Sequence, residues 1–192
     1  MMGTRNLLPY FFAALLMMAP WIHGGEVKLS EALASANASD RQAGLRSLLD
    51  LPPDAPMDVP ATAIRSCLYD EHVAVRLAAI SVLIHRKITE HNKDLMVLLV
   101  RGVTSVRAAC AHALGRLGSK ETCTVELWRS LEDPDESVRR EAVASIDLLH
   151  GTKMGFMWDQ DPREYRRKAQ EALRDHLQIP ADQAPSHAKK GS

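Results

Sequence analysis

The sequence predicts an all-α fold, an α-solenoid of about four to five stacked helix pairs. A valine–arginine pair recurs as Val75-Arg76, Val106-Arg107 and Val138-Arg139. Apolar residues stand at matching offsets on both sides of each pair, in the spacing of a helical face. Alanine, leucine, valine and isoleucine supply most of the 46% apolar content, and only 5% of the chain is aromatic. That composition suits closely packed helices better than a ligand cavity walled by rings.

The first segment reads as a targeting signal and stands apart from the fold. Met1 to Arg5 carries one basic side chain, and Leu7 to Ile22 is uncharged and mostly apolar. Gly24 and Gly25 follow, and the first acidic residue is Glu26. A basic, then apolar, then small-residue order is that of a secretory signal, here residues 1–24. The rival is an uncleaved N-terminal anchor, but the run is short for a span and Pro9 and Pro20 interrupt it. The expectation is an exported protein of the periplasm, cell envelope or extracellular space. A repeat domain is expected over residues 29–178, and a polar, proline-containing, disordered tail over 179–192.

Within the repeat domain, four residues after each valine comes a small residue: Ala79, Cys110, Ala142. Eight after comes a large aliphatic: Leu83, Leu114, Ile146. Seven residues before the valines stand Leu68, Leu99 and Leu131, and eleven before stand Ile64, Leu95 and Leu127. Each unit therefore holds two amphipathic helices, and the valines stand 31 and 32 residues apart. A further copy runs from Asp161 to Arg174, with Tyr165-Arg166 in place of the pair, and Ala169 and Leu173 at the small and large positions. An eroded first copy sits at Arg41 to Leu51, where Leu45 and Leu49 are four apart.

The turns agree with this division. Either aspartate of Asp133-Pro134-Asp135 can cap the helix that follows. Gly115 and Gly118 bracket the end of the third unit's second helix, and Ser119 can cap the next. Pro52-Pro53 breaks the chain after the first unit.

The pattern D-x-x-x-x-V-R-x-x-A-x-x-x-L, with a closing Leu114-Gly115-Arg116-Leu117-Gly118, resembles HEAT-like repeats of the phycobilisome-lyase type in the ARM/HEAT superhelix class. The resemblance is good over about residues 60–150 and weak over 30–51 and 161–176. Residues 149–174 also resemble the closing unit of exported bacterial HEAT-repeat proteins. The sequence departs from the pattern at Arg101, which stands where the family prefers aspartate.

Arg76, Arg107, Arg139 and Arg166 recur once per unit, so stacking aligns them. The resemblance implies pairing of these arginines with a turn aspartate, here Asp70 and Asp133, in a structural ladder. The competing reading is a basic stripe along a groove that grips an acidic partner. Trp128 adjoins the core position Leu127 and is a candidate for a partly exposed interface anchor, although such a residue more often fills the gap between repeats. Met154, Phe156, Met157 and Trp158 are expected to cover the open end of the core.

No chemistry-bearing constellation accompanies the repeats. The eight histidines form no HExxH or HxH and are expected to face solvent. Cys67, Cys110 and Cys123 have spacings of 43 and 13, which match no zinc or haem pattern, and a Cys110–Cys123 disulfide stays open. There is no GxSxG elbow and no Gly-rich phosphate loop. No catalytic residue, metal or cofactor is expected. Lysine plus arginine equals aspartate plus glutamate at 24 each, which argues against a broad nucleic-acid footprint. The expected function is an exported, non-enzymatic protein-binding scaffold. A chromophore-lyase-like enzyme or enzyme accessory is the alternative that the resemblance implies. The expected partner is another protein, with membrane contact only through an uncleaved N-terminus.

Overall fold

The computed structural model describes residues 29–57, 59–153, 170–171 and 173–183. Helical residues 29–33 and helix α1 (Ala38–Asp50) form the first unit. The second is α2 (Ala61–Leu68) with α3 (Val73–Arg86), and the third is α4 (Asn92–Arg101) with α5 (Thr104–Leu117). The fourth is α6 (Lys120–Arg129), extended by a 3-10 turn over Ser130–Glu132, with α7 (Glu136–His150). No strand occurs among the described residues. The fold is an all-α solenoid of helix pairs, as the offsets predict.

The second helices α1, α3, α5 and α7 stack directly on one another, and each of α2, α4 and α6 packs chiefly against its own partner helix. Two layers result, with the apolar core between them. The residues at the repeating offsets fill it: Ile64, Leu68, Val75 and Leu83, then Leu95, Leu99, Val106 and Leu114, then Leu127, Leu131, Val138 and Ile146, each at most 2% exposed. A single unit cannot bury this stripe alone, so neighbouring units depend on each other.

Local chemistry ends the helices where the turns require it. Asn37 caps α1 through Ser39 N, and Asp135, the second of the two candidate aspartates, caps α7 through Ser137 N. Ser119 occupies the N-cap of α6, but its side chain makes no cap bond. Gly151 closes α7 at φ 68°, where a side chain would be strained. Gly115 lies inside α5, not at its end, because the helix runs on to Leu117 and Gly118 is the C-cap. Its role is close approach: a Cβ there would stand 2.6 Å from Ser145 Cβ and 2.8 Å from Ser145 Cα. This lets α7 press onto α5, and Ser145 Oγ donates to Ala111 O at 2.8 Å.

The connection after α1 is longer than the others because Pro52 and Pro53 stop the helix. It is held by the C-terminal end of α3. His85 Nε2 lies 2.9 Å from Leu51 O, and Arg86 donates to Pro52 O at 2.5 Å and also to Ala55 O.

The C-terminal edge departs from the expected boundary at 178. Ile179 is buried, and a 3-10 turn at Ala181–Gln183 offers its Gln183 carbonyl to Arg129 Nε at 3.1 Å. The packed chain therefore extends past that boundary. Residues 1–24, the cluster at 154–158, Arg166 and the end of the tail lie outside the described residues. Among the described residues, no helix is long and apolar enough to cross a membrane. Cys67, Cys110 and Cys123 are free and buried, so no Cys110–Cys123 disulfide forms. Burial pushes the Cys110 thiol up to about 12.

Candidate functional site

The recurring arginines occupy the turn side of the second-helix layer in a shared pose. Arg76 Nη1 donates to Asp70 O and Glu71 O, six and five residues earlier in the chain. Arg139 Nη1 does the same with Asp133 O and Pro134 O, and Arg107 Nη1 reaches Gly102 O. These bonds hold one edge of each guanidinium on the carbonyls of its own turn. Arg107 uses its Nε–Nη2 edge on Asp133: Nε to Oδ2 and Nη2 to Oδ1 are both 2.8 Å. The ion pair is bidentate and mostly shielded.

The sequence leaves one ladder member hidden. Arg41, in the eroded first copy, donates Nη1 to Ser35 O and Ala36 O and grips Asp70 with Nε at 2.6 Å and Nη2 at 2.9 Å. Its register was legible from Gly44 and Leu48, which stand at the small and large positions. Asp40 in place of the valine concealed it. Asp70 therefore serves the preceding unit's Arg41, and Arg76 meets Asp70 only through its backbone. Burial works against the Asp70 charge, but hydrogen bonds from Arg41 and from the His72 N–H outweigh it and hold the carboxyl below its ordinary value.

A second tie, which the sequence did not reveal, joins the first helices of units two and three. Asp94 accepts from Tyr69 Oη at 2.9 Å and from Arg65 Nε at 3.1 Å, and its Oδ2 lies 3.2 Å from His91 Nδ1. Burial opposes the Asp94 charge here too, and the three donors together depress the carboxyl. Arg65 also lies over the Tyr69 ring, 5.8 Å from its centroid. His91 is 5% exposed, which corrects the expectation that the histidines face solvent.

Of the two readings of Trp128, burial fits the gap-filling one and not the partly exposed interface anchor. The residue is 3% exposed, and its Nε1 donates to Gln170 O at 3.2 Å while Gln170 Nε2 donates back to Trp128 O at 3.1 Å. It anchors the chain's own C-terminal segment and offers nothing to a partner. The indole fills the end of the stack because the last unit's apolar edge needs a cover.

The solvent side of the second-helix layer carries Arg46, Ser81, His112 and Ala144 at one register and Arg116 and Leu148 one turn later. Arg116 Nε donates to His112 Nε2 at 3.0 Å, so the proton sits on Nδ1, which faces Glu141 Oε2 at 3.1 Å. This relay ties units three and four. Among the described residues no group of His, Cys, Asp or Glu could hold a metal ion.

Residues 61–147 match the family model for HEAT repeats. The match spans α2 to most of α7, the stretch where the offsets repeat best. No curated protein and no solved structure matches the chain. HEAT repeats generally mediate protein interaction or scaffolding.

Proposed function

We propose that the chain is an exported, non-enzymatic scaffold that binds another protein through the exposed side of its second-helix layer. The observation that carries this reading is the stack itself. Its units are joined by Arg41–Asp70, by the Asp94 cluster, and by Arg107–Asp133 with Ser145–Ala111. A surface held at every junction loses little conformational freedom on docking, so modest contacts suffice for affinity. The register that repeats along the layer, from Arg46 to Ala144, offers a partner a row of equivalent positions. Export is supported by the order of basic, apolar and small residues in 1–24.

The test is site-specific photocrosslinking in the exporting cell, with the probe at Arg116 or Leu148 and, as control, at Val100 on α4. The expected result is one discrete adduct from the second-helix positions and none from Val100. Absence of any adduct overturns the scaffold reading. A chromophore-handling role of the phycobilisome-lyase type predicts instead a purified protein with visible absorbance. Recovery of the full-length chain in the cytoplasm with residues 1–24 intact overturns export.

A further inference from the structure

Three of the four described arginines at this register, Arg41, Arg76 and Arg107, can be compared rung by rung with the unit that follows. Arg41 and Arg107 place Nε and Nη2 on both oxygens of an aspartate in the next unit, Asp70 and Asp133. Each aspartate also accepts a backbone N–H two residues on, from His72 at 2.8 Å and from Asp135 at 2.9 Å. A complete rung is thus one carboxylate held by a guanidinium fork and one peptide N–H.

Arg76 has the same pose, with Nη1 on the carbonyls of its own turn. The residue that should bring the carboxylate from unit three is Arg101, which ends α4 and is exposed. Among the described residues Arg76 has no carboxylate partner. Two residues after Arg101 stands Val103, the N-cap of α5, whose backbone position matches those of His72 and Asp135 in the filled rungs. The fork and the peptide N–H of a rung are therefore present, a second cation stands where the acid should be, and the carboxylate is missing.

We infer that this vacant rung between units two and three is a carboxylate-binding site, taking an aspartate or glutamate side chain from an acidic segment of a partner protein. The inference rests on the scaffold reading and names its partner's chemistry. Charge complementarity selects the occupant. Arg76 and Arg101 bring two positive charges and no acid to this register, and a planar guanidinium matches a carboxylate as it does in the two filled rungs. The site shares the turn side of the layer with the filled rungs, so an extended acidic segment can reach it alongside contacts to the exposed second-helix face.

The experiment uses the full mature chain and a fluorescent peptide containing two consecutive aspartates, with an asparagine version as control. The expected result is saturable anisotropy with the aspartate peptide and at least about tenfold weaker binding of the control. Arg101→Asp should complete the rung from within, raise Tm and abolish binding. Arg76→Lys should keep the charge, lose the fork and weaken binding at least about tenfold. Arg101→Gln separates the loss of charge from the gain of a carboxylate, and should bind more weakly without the rise in Tm. Equal binding of both peptides, or unchanged binding by Arg101→Asp, overturns the inference. Displacement by inorganic phosphate at concentrations where acetate has no effect also overturns it, in favour of a phosphate ligand. If Arg101→Asp raises Tm but neither peptide binds, the site is lost while the photocrosslinking result still decides the scaffold reading.

Discussion

Nε and Nη2 of Arg107 each lie 2.8 Å from an oxygen of Asp133, one unit further along the stack. The pair joins residues 26 apart in the chain. Replacing Asp133 with alanine leaves a largely shielded guanidinium edge without an acceptor, and should cost about 1–3 kcal/mol in urea unfolding. Arg76→Met should cost less than Arg107→Met, because Arg76 forms no such pair. Equal losses at the two positions would remove the distinction between a filled and a vacant rung.

Gly115→Ala tests the close approach of α5 and α7. Helix propensity alone favours alanine by roughly 1 kcal/mol. The new Cβ would meet Ser145 Cβ at 2.6 Å, so overpacking should win with a net loss of about 1–3 kcal/mol. Ser145→Ala should not rescue the variant, because the Cβ it would retain is already too close. A rise in Tm on Gly115→Ala would contradict this packing.

Trp128→Ala should remove the anchor of residues 170–183 and cost about 3–5 kcal/mol. Trp128→Phe keeps most of the apolar area and loses the bond to Gln170 O, for about 1 kcal/mol. Limited proteolysis provides the readout: the alanine variant should be cut on the C-terminal side of His150 much earlier than the wild type.

Acid should unfold the protein partly through Asp70 and Asp94. Both carboxyls are held below their ordinary value of 3.8 in the folded state. Their contribution is therefore complete above 3.8 and is lost as pH falls through the lower folded values. Asp94→Asn should flatten the acid limb of stability against pH. His150 acts at higher pH. Burial holds it below 6.5, so it favours the fold above that value and ceases to as pH falls through its folded value. His150→Gln should reduce the slope of stability below 6.5.

The thiols should be silent in the native state. Cys67, Cys110 and Cys123 are buried, and the Cys110 thiol is pushed up to about 12. Reaction with an aromatic disulfide reagent should follow the opening of the fold and accelerate with urea. Rapid stoichiometric labelling in buffer would contradict the burial of these residues.

The helix pairs were legible in the sequence because their cause is local. Val75, Ala79 and Leu83 lie on one face of a helix through spacing alone, and their counterparts in the other units repeat that spacing. The arginines were legible as a recurring feature, and Arg101 as a departure. Which aspartate each arginine serves was not legible. Asp70 lies 6 residues from Arg76 but 29 from Arg41, and stacking of the units assigns its carboxylate to the distant one. Trp128 was ambiguous for the same reason, since its neighbour Gln170 is 42 residues away. Sequence alone determined the periodic apolar face, and with it the solenoid. Tertiary structure decided the direction of the arginine pairing, the cluster around Asp94 and the burial of Trp128. Each of these depends on how one unit sets its backbone against the next, a relationship that no local spacing encodes.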